Sequence, residues 1–143
     1  MREGWFTPHV RKLCQNHLEL MIRGNGKQQK SYRYIEDCVK ARCLASKKPE
    51  KLAPGLIEVY NVGSNDTITV KEIADIVVSS LQLKDVKIVY TNGNGGRGWT
   101  GDVRKMLLDC SRFKGEGWRA DLNSRDAVMR TVMGICRNLP TTR

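Results

Sequence analysis

The apolar positions of this 143-residue chain change period several times, and each change predicts an element. In "HVRKLCQN" Val10 and Leu13 stand three apart, a short helix with both turned inward. "HLELMIR" then alternates, with Leu18, Leu20 and Ile22 on one face, the pattern of a half-buried strand. Asn-Gly in "GNG", between two extended runs, predicts a hairpin. "KQQKSYRYI" is then the returning strand, with Tyr32 and Tyr34 sharing a face. A helix is expected from Asp37 as N-cap, carrying Val39, Cys43 and Leu44 inward until the surface loop "SKKPEKLAPG".

Further on, "IEVYNVG" is apolar at Ile57, Val59, Tyr60 and Val62 and reads as a well-buried strand. The clearest helix signal follows. Thr69 and Glu72 form a T-x-x-E capping box, Ile68 and Ile73 sit where a hydrophobic staple would, and Ile73, Ile76, Val77 and Leu81 share a face. "VKIVY" predicts a short strand, "NGNGGRG" a loop, "MLLD" a small strand and "SRFKGEGW" a turn of helix. "SRDAVMRTVMGIC" predicts a closing helix with Val128, Val132 and Ile135 in register. Strands alternating with helices give an α/β class, a mixed small sheet with helices in one domain over residues 1–143.

Composition narrows the class. With 40% hydrophobic and 28% charged residues, the chain has the make-up of a folded domain with a core. No run is long enough to span a bilayer, and "MREGWFTPHV" lacks the apolar stretch of a secretion signal, so a cytoplasmic location is expected. Five cysteines (Cys14, Cys38, Cys43, Cys110, Cys136) include no C-x-x-C pair, and His9 and His17 have no cysteine at ligand spacing. Reduced thiols and no metal site are expected. The net charge is +10, uneven along the chain: through Lys51 there are 12 Lys/Arg against 5 Asp/Glu, or +7. Such an excess suits an anionic ligand, whether nucleic acid or a phosphorylated metabolite.

Gly93, Gly95 and Gly98 match G-x-G-x-x-G after a strand, but a dinucleotide fingerprint must open a helix, and "WTGDVRKML" is a poor helix start. The glycines better serve a loop that lets Arg97 approach a ligand, since guanidinium offers a fixed fork of donors to phosphate oxygens. Lys27, Lys30 and Arg33 around two tyrosines resemble a single-strand nucleic-acid surface, although no standard module's signature accompanies them. Glu36 and Asp37 read as helix-start acids rather than a catalytic pair. Trp5, Trp99 and Trp118 read as packing residues.

In order, these pieces resemble the C-terminal, substrate-binding portion of the NAD-dependent epimerase/dehydratase family, the extended short-chain dehydrogenases that act on nucleotide sugars. "GNGKQQKSYRYIEDCVKA" resembles the family's G-x-G-x-Q-x-R-x-x-x-Y-V-x-D segment. "EVYNVGSNDTITVKEIADIV" resembles its Y-N-[IV]-G-S-G passage. "GGRGWTGDVRKMLLDCSRFKGEGW" resembles its R-P-G-D-V, L-D-x-S-K and L-G-W series, and "NSRDAVMRTV" its closing helix. The wording is most similar to prokaryotic UDP-glucose 4-epimerase-like members, from about Val10 to Cys136.

The resemblance implies a site. Lys30 stands in the place of a phosphate-binding Arg, Arg97 in that of a second one, and Asp102 in that of the Asp that holds the loop and nucleotide. The backbone of Met21 and Arg23 matches the strand that reads uracil. It also implies what lies elsewhere: the family's cofactor loop and its catalytic Tyr-x-x-x-Lys belong to the first half. Four residues past Tyr32, Tyr34, Tyr60 and Tyr90 stand Glu36, Cys38, Ser64 and Asn94, none a lysine. The expected function is therefore UDP-sugar binding with no catalytic residue of its own. NAD is implied for the full-length family and not for these residues. A non-enzymatic module that self-associates or pairs with a cofactor-binding chain is the alternative. The diphosphate reading requires Lys30 and Arg97 to converge on one hollow, with neither locked in an internal ion pair.

Overall fold

The computed structural model describes residues 7–47 and 55–138. The elements run α1 (Thr7–Gln15), β1 (Glu19–Ile22), β2 (Gln29–Lys30), α2 (Ile35–Ser46), β3 (Ile68–Thr69), α3 (Val70–Ser80), β4 (Lys87–Tyr90), α4 (Gly93–Gly96), β5 (Lys105–Met106), α5 (Ser111–Gly115) and α6 (Ser124–Asn138). The class is α/β as expected, but the strands gather into two small sheets. β1 lies parallel to β4, and β2 lies between β3, antiparallel, and β5, parallel.

The larger core forms where the helical periodicity is strongest. Val10 and Leu13 of α1, Leu20 and Ile22 of β1, Ile73, Ala74, Ile76 and Val77 of α3, and Val128 and Val132 of α6 pack together. α3 starts as its sequence predicts: the Glu72 amide donates to Thr69 Oγ1 at 3.1 Å, and the Thr69 amide donates to Glu72 Oε2 at 2.8 Å. Two of the four orphan donors of the first turn are thereby satisfied. Ile68 and Ile73, the staple positions, are both buried. A smaller second core joins Ala41, Cys110, Phe113 and Trp118. Its rings stack in series, Tyr60 on Phe113 at 4.6 Å between centroids and Phe113 on Trp118 at 5.5 Å.

Several expectations are corrected. The hairpin at "GNG" does not form: β1 pairs with β4, with Glu19 opposite Lys87 and Ile22 opposite Tyr90. The turn chemistry is real, with Gly24 at φ 84°. It serves close packing instead, since a Cβ there would lie 2.4 Å from Gln28 Nε2 and 2.7 Å from the Gly96 carbonyl. Leu18 lies outside β1 and is exposed. α2 begins at Ile35, not Asp37, with Tyr34 as an N-cap that makes no side-chain bond; Val39 and Cys43 are exposed, and Ala41 carries the buried face. Asp37 is spent elsewhere, accepting the amides of Asp121 and Leu122 at 3.1 and 3.3 Å.

Further corrections concern the strands and the glycine loop. "IEVYNVG" joins neither sheet, and Ile57 and Val59 are 87% and 68% exposed. The strand expected at "MLLD" sits earlier, at Lys105–Met106, leaving Leu107 and Leu108 exposed. "GNGG" closes into one helical turn rather than an open loop. The loop after α2 falls largely, and Trp5 wholly, outside the described residues. Among the described residues no helix is long and apolar enough to cross a membrane.

Candidate functional site

Asp102 is the organising group. Its side chain is wholly buried and accepts three donors from different segments. Lys30 Nζ reaches Oδ1 at 3.1 Å, the Gly98 amide reaches Oδ2 at 3.1 Å, and Gln28 Nε2 reaches Oδ2 at 3.3 Å. Burial alone would push this carboxyl's pKa up, but the bonds from Gly98, Lys30 and Gln28 outweigh it and leave it below the ordinary carboxylate range. The carboxylate thus ties β2 to the glycine-rich turn that carries Arg97. Gly98 is fitted to that approach: a Cβ there would lie 3.2 Å from Asp102 Oδ2 and 3.4 Å from the Arg23 carbonyl.

Arg97 is exposed, one residue before the Gly98 amide that Asp102 holds. Lys30 and the Arg97 turn therefore meet through one carboxylate, although 67 positions separate the two cations in sequence. The condition set by the sequence, that neither cation be locked in an internal ion pair, is not met. Lys30 is engaged in an internal ion pair, with its side chain 18% exposed, so its pull on an anion is partly cancelled. Trp99 is half exposed, its ring folded over Gly101, where a Cβ would lie 3.2 Å from the ring. A hollow of about 180 Å³ beside this turn is lined by Asn25, Lys27, Gln28, Gly95, Gly96 and Arg104. Arg104 donates to the Gly95 carbonyl at 3.1 Å. Gln28 falls on the Q of the G-x-G-x-Q pattern, whereas Arg104 carries no local signal of its role.

Met21 lies on β1 and Arg23 just past its end. The carbonyls of Leu18 and Ile22 accept amides of Lys87 and Thr91 beside them. Alternation along a parallel ladder then turns the Met21 N–H and C=O to the opposite edge of β1. The Arg23 carbonyl is drawn inward, 3.5 Å from Gln28 Nε2.

Other cations and acids are committed to structure. The Arg33 side chain is 7% exposed and donates to the Leu122 carbonyl at 2.9 Å and to the Gly63 carbonyl, beside Asp37 at 3.5 Å. That removes Arg33 from any surface for nucleic acid. Tyr32 packs into the larger core, and burial and the charge of Asp102 push its hydroxyl pKa up to about 12. Glu36 pairs with Arg130 at 3.4 Å on the surface. A larger cleft, about 420 Å³, lies elsewhere, among Arg33, Ser64, Asn65, Asp66, Lys114 and Arg119. Several of its polar groups bond to one another, as Lys114 does to Asn65 and Ser64 to Asp66. Gly95, Gly98 and Gly101 have G-x-x-G-x-x-G spacing, but they belong to the Arg97 turn and open no helix.

The two small sheets, the α3 and α6 packing and the Asp102 turn together form part of the extended short-chain dehydrogenase fold. A solved UDP-galactose 4-epimerase superposes with a TM-score of 0.80 at 30% identity, over 98% of this chain and 42% of that one. The UDP-glucose 4-epimerase of Thermotoga maritima superposes at 0.76 with 26% identity, over 98% of this chain and 41% of that one. A curated dTDP-4-dehydro-6-deoxyglucose reductase of Escherichia coli is 27% identical over 84% of this chain and 35% of its own length. No family model matches the chain. These neighbours point to the UDP-glucose 4-epimerase-like fold of the NAD-dependent epimerases and dehydratases, and the chain spans about two fifths of the solved relatives' length.

Proposed function

We propose that this chain is the nucleotide-sugar-binding part of an NAD-dependent sugar epimerase or dehydratase, gripping the diphosphate of a UDP-sugar at the Asp102 turn. The observation that carries the reading is the three-way bond of buried Asp102 to Lys30, Gln28 and Gly98. It fixes an exposed Arg97 beside an open strand edge at Met21. A guanidinium presents paired donors to phosphate, and backbone N–H and C=O at a strand edge can pair with a base. Because Asp102 partly neutralises Lys30, Arg97 supplies most of the grip, while Lys30 chiefly braces the turn. Remote binding of this kind fixes a sugar for chemistry performed by other residues. Solved proteins of this fold hold UDP-glucose and NAD together. Among the described residues no glycine turn opens a long helix to receive NAD, so we infer that the cofactor is held by the remainder of the fold and that this part does not catalyse alone.

Calorimetric titration with UDP tests the reading. Binding in the sub-millimolar to millimolar range is expected, weakened about tenfold or more by Arg97→Ala, the loss of one charge-assisted contact, and less by Lys30→Ala. Absence of heat with both UDP and UDP-glucose at millimolar concentration would overturn it, and a larger effect at Lys30 than at Arg97 would reverse the assigned roles.

A further inference from the structure

We propose that the Arg23 side chain supplies a second guanidinium to the ligand, closing on the phosphate attached to the nucleoside. The inference rests on the reading of the Asp102 turn as a diphosphate site. That reading leaves the site short of charge, because Lys30 is tied to Asp102 at 3.1 Å and Arg97 is left as the main cation. Arg23 is placed to fill the gap. The alternation of β1 buries Leu20 and Ile22 and turns Met21 outward, and Arg23 continues it on the exposed side. Its backbone is fixed from both directions. The Gly24 amide donates to Thr91 Oγ1 at 2.9 Å, and the Asn92 amide donates to the Gly24 carbonyl at 3.1 Å.

The two glycine-bearing segments run side by side at this point. The Asn25 amide donates to the Gly96 carbonyl at 3.0 Å. A Cβ on Gly24 would lie 2.8 Å from the Arg97 carbonyl carbon, and one on Gly98 would lie 3.6 Å from the Arg23 Cβ. Each arginine therefore lies across from a glycine, which adds no side chain to compete for its donors. Among the described residues no acid and no hydrogen bond engages the side chain of Arg23 or Arg97, whereas Arg33, Arg112 and Arg130 each reach a carboxylate. Asp102, beside both segments, gives its oxygens to Lys30, Gln28 and Gly98. Two unpaired guanidinium groups on adjoining segments repel each other and gain from a shared anion. The strand edge proposed for the base, at Met21, lies two residues earlier. Past a nucleoside held there, the first group within reach of Arg23 is its own phosphate, and the outer phosphate is left to Arg97.

Titrations of the whole chain with uridine, UMP and UDP, followed by NMR, test the assignment. Arg23→Ala is expected to weaken UMP and UDP alike, each about tenfold, and to leave uridine within about twofold. Arg23→Lys keeps the charge and loses the fork, and is expected to recover part of the loss. Both variants should keep the wild-type melting temperature, because the side chain is exposed and unpartnered. Unchanged affinity for UMP and UDP in Arg23→Ala would overturn the proposal. So would a loss confined to UDP, an equal loss for uridine, which would put the side chain on the base, or a fall in melting temperature, which would reveal a structural partner. Each of these leaves Arg97 and the diphosphate reading standing. A wild-type chain that binds neither UMP nor UDP would overturn that reading and this assignment together.

Discussion

The core of α1, β1, α3 and α6 and the flank formed by residues 55–62 and β5 carry similarly strong apolar signals in sequence, and they fold differently. In the first region the pattern and the burial agree. Val10, Leu13, Val77, Val128 and Val132 are all at or below 1% exposure. In the second, Ile57, Val59, Leu107 and Leu108 repeat apolar residues just as insistently and remain in the open. Periodicity reports that a side chain favours burial. It does not report whether the covering surface lies within the same stretch of chain. Helices α1, α3 and α6 find one another within this part; the extended flank has only one face covered.

The largest effect expected from that contrast is at Phe113. It is the central ring between Tyr60 and Trp118, and in a core of four buried residues little can close over its loss. Phe113→Ala should cost about 3–5 kcal/mol. Hydrogen exchange should show residues 57–63 and α5 opening while α3 and α6 keep their protection. If α3 loses protection in step, the two regions unfold as one unit and the contrast is weaker than drawn.

Between the regions sits Asp102, which fastens β2 to the Arg97 turn. Asp102→Asn keeps the size and removes the charge that faces Lys30, and should cost about 2 kcal/mol at pH 7. The pH dependence has a definite sign. The folded-state pKa of Asp102 lies below the ordinary value, so its stabilisation is fully present above the unfolded pKa, about 4, and fades as pH falls through the lower folded one. Asp66 and Glu72 are lowered too: for Asp66, bonds from Ser64 and Ser124 outweigh the burial that would raise it, and Glu72 is lowered chiefly by the Thr69 amide. Urea midpoints of the wild type should therefore drop steeply below about pH 4, and those of Asp102→Asn less so. Parallel curves would mean that Asp102 does not hold the turn through its charge.

What the sequence disclosed follows the same division. The capping box was legible because Thr69 and Glu72 stand three apart, and so was the helical face of α3. The turn at Gly24 was legible and its partner was not, since the close contacts that require glycine there come from Gln28 and Gly96. Asp37 looked like a helix cap; its carboxylate serves amides 84 and 85 positions away, beyond any local pattern. At the site, Arg97 was marked by its glycine-rich loop as well as by resemblance to a known family, and Asp102 by resemblance alone. Gln28 stood within the marked G-x-G-x-Q pattern but was given no role, because its contact with Asp102 spans 74 positions, and Arg104 was missed because nothing local distinguishes it from the other surface cations.

A smaller effect belongs to the legible side. Thr69→Ala removes the hydroxyl that accepts the Glu72 amide and should cost about 1 kcal/mol, read as a shift in urea midpoint with unchanged slope. Because the α3 start packs Ile68 and Ile73 into the larger core, the loss should fray the first turn and leave Tyr60 and Val62 untouched. Protection changes in the flank would show that the capping box supports both regions.

The smallest expected effect is the most discriminating. Ile57→Ser in the isolated chain should change stability by no more than about 0.5 kcal/mol, as for surface positions without special roles, because its side chain is 87% exposed. A buried isoleucine truncated in the larger core, such as Ile73→Ala, should cost several times more, about 2–5 kcal/mol. The two residues are the same type in equally apolar runs, so the ratio of their effects measures directly how much of the apolar pattern this part of the fold satisfies by itself. A cost at Ile57 approaching that at Ile73 would mean that the flank is covered in solution, by a second copy or by a rearranged segment. The comparison that separates the two regions would then have to be redrawn.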